Sequence, residues 1–112
     1  TNPTLMKKAG IRDYKKFAFS VLKTIKKKPI SFEVFADDLT LMKLQAREIS
    51  TWGKNVYVKI PITNSKGKST LKVVNRLLSK NIKCNVTAIF DLNQLKPFNF
   101  ISKTYQKDTY FR

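Results

Sequence analysis

Three times along the chain, apolar residues recur at helical spacing and then condense into a short run with strand parity. Tyr14, Phe17, Ala18, Val21, Leu22 and Ile25 follow the i, i+3, i+4, i+7 rule of an amphipathic helix, which Asp13 can cap. Lys28-Pro29 ends it, because proline disfavours helical geometry in the residue before it, and residues 30–35 read as a strand. Leu39, Met42, Ala46 and Ile49 make a second stripe, with Asp37 or Asp38 as its cap and Gly53 as its stop, followed by a strand at 56–60. After the loop Thr63-Asn64-Ser65-Lys66-Gly67, a third helix buries Leu71, Val74, Leu77 and Leu78, and 82–90 reads as the third strand.

Helix and strand alternating through short loops imply right-handed crossovers and a parallel sheet. Period-two parity gives each strand one apolar face: Ile30, Phe32 and Val34, then Val56, Val58 and Ile60, then Cys84, Val86, Ala88 and Phe90. The opposite faces are mixed. They hold Ser31, Glu33 and Phe35, then Asn55, Tyr57 and Lys59, then Lys83, Asn85, Thr87 and Ile89. A doubly wound sheet is covered by helices on both sides and reads apolar throughout, whereas a barrel interior can gather polar side chains near its C-terminal rim. The fold class expected is therefore α/β, a partial (β/α)8 TIM barrel of parallel strands and alternating helices. A full barrel typically needs about 250 residues, so 112 residues supply about half of one. Residues 1–95 make up this partial barrel. Residues 96–112 form a C-terminal tail, since the stretch from Pro97 has neither a helical stripe nor clean strand alternation. Both ends are expected to be cut or altered, as in a gene fragment or a frameshifted end. A sheet with free edges predicts a marginal fold that aggregates or self-associates to complete a barrel.

Composition narrows the chemistry. Cys84 is the only cysteine and there is no histidine, which leaves no internal disulfide, no His-Cys zinc cluster and no histidine base. No apolar run is long enough to span a membrane, and no secretory signal pattern opens the chain, so a soluble, cytoplasmic protein is expected. The net charge of +16 is carried by nineteen lysines and only four arginines, spread along the chain and not alternating with aromatics. That pattern raises nonspecific affinity for polyanions without indicating a specific nucleic-acid partner.

A lysine near the end of an apolar strand, between Val58 and Ile60-Pro61, is costly to bury charged, which favours the neutral amine that attacks carbonyls. Glu33 on the strand before and Thr87 on the strand after share the face of Lys59, and could hold one water beside it. On parity alone, a structural Lys59–Glu33 ion pair accounts for the same residues equally well. Gly67-Lys68-Ser69 and Asp91 partly match a phosphate-binding P-loop and its magnesium-binding aspartate. Ile62, however, stands where that loop needs a glycine.

Thr1-Asn2-Pro3-Thr4-Leu5, Phe32-Glu33-Val34, Val58-Lys59-Ile60-Pro61 with Thr63, and Asn85-Val86-Thr87 with Phe90 and Gln94 together resemble the transaldolase family, including its short fructose-6-phosphate aldolase-like branch. The resemblance implies a Schiff base on Lys59, a catalytic water held by Glu33 and Thr87, and dihydroxyacetone hydroxyls bound by Asn2 and Asn85. Glu33, where the aldolase branch has glutamine, places the chain nearer true transaldolases. The implied activity is transfer of a dihydroxyacetone unit between sugar phosphates in the pentose phosphate pathway, with no metal or organic cofactor. The family's first-strand aspartate, sixth-strand serine and phosphate-gripping arginine find no match in these stretches. A nonenzymatic remnant and a basic nucleic-acid-binding module are the alternatives.

Overall fold

A computed structural model describes residues 3–112, with side chains described from Gly10 onward. Its elements are α1 (Pro3–Thr24), β1 (Ile30–Glu33), α2 (Leu39–Ser50), β2 (Val56–Pro61), α3 (Leu71–Ser79), β3 (Cys84–Thr87), α4 (Leu92–Leu95), a 3-10 turn (Lys96–Phe98), α5 (Asn99–Thr104) and β4 (Thr109–Phe111). The strands form one sheet in the order β1-β2-β3-β4, every pair parallel. With helices between successive strands, this is the architecture of a partial (β/α)8 barrel.

Helices cover one face of the sheet. Val58, Ile60, Cys84 and Val86 are fully buried there against Met42, Ala46 and Ile49 of α2 and Val74, Leu77 and Leu78 of α3. Truncating a side chain such as Leu77 to alanine in so dry a layer should cost about 2–5 kcal/mol. Asp38 caps α2 by accepting from the Leu41 amide at 2.9 Å. The α3 helix ends in a left-handed turn at Asn81 (φ 65°), with the Asn81 amide on the Leu78 carbonyl and the Ile82 amide on that of Leu77. α1 is attached by an aromatic cluster. Tyr14 meets Phe32 at 6.0 Å and Trp52 at 5.5 Å, and Trp52 in turn meets Phe32 at 6.1 Å. Gly53 permits the close approach behind this cluster, since a Cβ there would lie 3.3 Å from Leu22 Cδ1 and 3.2 Å from Asn55 Oδ1.

Several expectations need correction. Asp13 does not cap the first helix: α1 begins at Pro3, and Asp13 lies exposed within it. The first strand ends at Glu33, because the Phe35 and Ala36 amides turn to Gln45 Oε1 at 3.0 and 2.9 Å. The third strand ends at Thr87, and parity fails beyond it because Ala88 adopts φ 62°. Ile89 consequently packs on the core while Phe90 is 90% exposed, the reverse of the expected alternation. Past this kink, Asp91 and Gln94 form a capping box that starts α4. The stretch after Pro97, in which neither helix nor strand was expected, holds α5 and then β4. β4 continues the sheet beside β3, with the Cys84 amide on the Asp108 carbonyl at 2.9 Å and the Arg112 amide on that of Val86 at 2.8 Å. A three-residue strand is too short to display parity, which is why sequence periodicity does not find it.

Left-handed geometry at a residue with a Cβ costs about 1–2 kcal/mol, more than glycine's extra unfolded-state entropy. Ala88→Gly should therefore stabilise the fold, by roughly 0.5–1 kcal/mol on the same reasoning. Urea denaturation of the two proteins checks this, and an unchanged or lower midpoint would refute the strain.

Candidate active site

The face of the sheet away from the helices carries the candidate side chains. Register puts Glu33, Lys59 and Asn85 level on three adjacent strands, which lie about 4.8 Å apart. Thr87 stands level with Pro61, one pleat repeat or about 6.6 Å nearer the C-terminal rim. Lys59 is half-buried and Glu33 exposed, whereas Asn85 and Thr87 are buried. Asn2 lies outside the described residues.

Lys59 and Glu33 do not form the ion pair that parity alone allowed. Among the described residues, the one carboxylate–ammonium contact within 4 Å is Lys15–Glu48 at 3.7 Å, on the helical side. Asn85 reaches across the sheet and donates from Nδ2 to Ser31 Oγ at 3.1 Å, while its Oδ1 is buried with no hydrogen-bond partner. A buried carbonyl oxygen left unpaired costs about 1–3 kcal/mol, so a donor placed beside it by a ligand is favoured. Lys59 and Asn85 line a cleft of about 590 Å³ on this face, bounded by Lys28 and Ser31 at one side and by Tyr110 and Arg112 at the other. Sequence reasoning placed Ser31 on the right face without giving it the contact to Asn85. It missed Tyr110 of β4 and Arg112 just after it, which enter the cleft from that side; the Arg112 guanidinium lies 5.5 Å from the Tyr110 ring centre.

The rim loops are tied to one another. Asp37, after β1, accepts from the Ser65 amide at 2.7 Å and from Ser65 Oγ at 2.6 Å, after β2. Both bonds favour the carboxylate, the hydroxyl bond most, and hold the Asp37 carboxyl below its usual range. Asn64 Oδ1 accepts from the Lys66 and Lys68 amides at 3.0 and 2.9 Å, and the Gly67 amide goes to the Asn64 carbonyl at 3.0 Å. These are the amides a P-loop would aim at phosphate. Here they close a tight turn, with Gly67 at φ 78°, so the Gly67-Lys68-Ser69 match is one of letters only. Gln94, one of the residues carrying the family resemblance, uses its Oε1 to accept from the Phe90 and Asp91 amides at 2.8 and 3.2 Å.

An amine, a carboxylate, a buried amide and a hydroxyl on the bare face of a parallel half-barrel define a class: α/β-barrel proteins whose chemistry faces inward near the C-terminal rim. The family model described as Transaldolase/Fructose-6-phosphate aldolase matches residues 1–98. The chain belongs to this family. It is similar to a "Probable transaldolase" of Dehalococcoides mccartyi, with 39% identity over 94 residues covering 84% of the chain and 42% of the relative. A "Probable transaldolase" of Methanococcus maripaludis is 44% identical over 97 residues, and one of Thermoanaerobacter is 43% identical over 94; each match covers 84% of the chain and 41% of the relative. The chain thus spans about two fifths of the length of these curated relatives. Among the described residues, no helix is long and apolar enough to cross a membrane.

Because the folded Asp37 carboxyl titrates below its unfolded value, the rim contact stabilises the fold above the unfolded pKa and is lost as pH falls through the depressed one. Ser65→Ala removes the largest cause, so the Asp37 midpoint should move up toward the ordinary carboxylate range. Carbon-13 NMR titration of the side-chain carboxyl reads this, and an unmoved midpoint would contradict the assignment.

Proposed function

We propose that the chain carries the Schiff-base half of a transaldolase site, with Lys59 as nucleophile. The observation that carries the reading is the row Glu33, Lys59, Asn85, in which the lysine has no carboxylate within 4 Å among the described residues and stands level with Asn85, whose Oδ1 is buried and unpartnered. Lys59 Nζ adds to the ketose carbonyl, whose oxygen leaves as water, giving an iminium. When the bond beyond the 3-hydroxyl breaks, its electron pair flows to the iminium nitrogen, and the 4-hydroxyl proton passes to a water held by Glu33 and Thr87. The aldose departs, the enamine carbon adds to an acceptor aldehyde, and hydrolysis returns the free amine. Asn85 and Asn2 hold the dihydroxyacetone hydroxyls, with Asn85 Oδ1 accepting from one of them. The substrates are sugar phosphates and the setting is the cytoplasmic pentose phosphate pathway. Association with a second chain would close the sheet around the cleft.

Borohydride reduction in the presence of fructose 6-phosphate should fix the adduct on Lys59, located by peptide mass spectrometry, and Lys59→Ala should abolish it. Thr87→Ala should slow adduct formation by about 100-fold or more while leaving the fold intact. Label scattered over the nineteen lysines, or trapping that survives in Lys59→Ala, would sink the mechanism.

A further inference from the structure

The opposite end of the sheet has a different chemistry. Parallel strands bring all four entering turns to one end, and each carries lysine: Lys26 to Lys28 before β1, Lys54 before β2, Lys83 before β3 and Lys107 before β4. The only carboxylate in residues 25–29, 51–55, 80–83 and 105–108 is Asp108. Lys26, Lys27, Lys54 and Lys83 line a groove of about 250 Å³ together with Asn55 and Tyr57.

Hydrogen bonds between the turns hold this groove in place. Asn55 Nδ2 donates to the Ile25 carbonyl at 3.0 Å and the Lys28 carbonyl at 2.9 Å, which fixes the turn bearing Lys26 and Lys27. Lys83 Nζ donates to the Lys54 carbonyl at 3.1 Å while lying 5.6 Å from the Tyr57 ring centre, and Tyr57 donates to the Lys107 carbonyl at 3.2 Å. Like charges are thereby gathered with no carboxylate of the described residues within 4 Å of any of them, an arrangement that a polyanion relieves.

We propose that this groove binds the phosphate backbone of a nucleic-acid strand without reading its sequence. The three turns that line the groove subtend about 10 Å at strand spacing, room for about two or three successive phosphates of one strand, where a lone sugar phosphate would occupy one or two lysines. Lysine presents a compact point charge without arginine's planar fork, so it pairs with a phosphate whatever the neighbouring base. An anionic membrane fits less well, because surface anchoring adds an exposed apolar contact to the basic patch. The exposed large apolar side chains, such as Phe90, Leu92 and Leu44, lie outside these turns.

Fluorescence anisotropy with labelled twenty-nucleotide single strands of two unrelated sequences tests the proposal across a salt series. Both should bind alike, and Lys26→Gln/Lys27→Gln/Lys54→Gln/Lys83→Gln should lower the log–log salt slope by about 2, from about 0.7 per lost phosphate contact. A control of equal charge, Lys16→Gln/Lys66→Gln/Lys68→Gln/Lys72→Gln, should change the slope by less than a third of that, with far-ultraviolet circular dichroism showing both variants folded. Equal loss in the two variants, a marked sequence preference, no binding at 50 mM salt, or tighter binding to phosphatidylserine vesicles than to oligonucleotide would each overturn it.

Discussion

Everything in this chain depends on the register of β2 between its neighbours. Val56, Val58 and Ile60 point into the helical layer, with Val58 and Ile60 fully buried, while Tyr57 and Lys59 point the other way. A slip of one residue would drive Lys59 into the dry layer and expose Val58 and Ile60. Burying an unpaired ammonium there costs several kcal/mol, and losing the two aliphatic side chains from the core costs about 1.5–3 kcal/mol each. The apolar packing that fixes the fold is therefore the same constraint that presents the amine on the open face.

The parts of the fold legible in the sequence are those where an apolar pattern persists through several repeats. The buried faces of α2 and α3, the central strand and the side on which Lys59 emerges all follow from spacing of 3.6 or 2.0 residues. Failures fall where one residue's backbone or one side chain's hydrogen bond overrides the pattern. Ala88 in the left-handed region swaps the faces of Ile89 and Phe90, and Gln45 captures the amides that would have extended β1. β4 draws its place from pairing with β3, a nonlocal interaction with no local periodicity to announce it.

For the candidate site the division is similar. Parity placed Lys59, Glu33, Asn85 and Thr87 on one face, and the family resemblance singled them out among the other polar residues there. Parity could not say that Lys59 and Glu33 would stand without an ion pair, because level positions on adjacent strands are compatible with either outcome. The bridge from Asn85 to Ser31 was equally hidden, since it spans from β3 to β1 past the intervening strand. Nor does sequence reveal the Asp37–Ser65 link, which joins residues 28 apart through loop geometry.

The two ends of the sheet answer to different pressures. At the C-terminal end, side chains satisfy the amides of the rim loops, Asn64 and Gln94 locally, Gln45 from α2 and Asp37 from one loop to the next, so the loops are held by neutral or charge-assisted hydrogen bonds. Such bonds add little net stability individually, about 1 kcal/mol each, but they fix loop geometry beside the cleft. At the N-terminal end, the bonds from Asn55, Lys83 and Tyr57 go to backbone carbonyls, which leaves the ammonium groups of Lys26, Lys27 and Lys54 free to face solvent. Those carbonyl contacts order the turns without neutralising a charge. A sheet held by its helical layer and by two sets of turn contacts can thus keep Lys59 on its bare face and a cationic groove at one end, because neither feature carries the packing that holds the chain together.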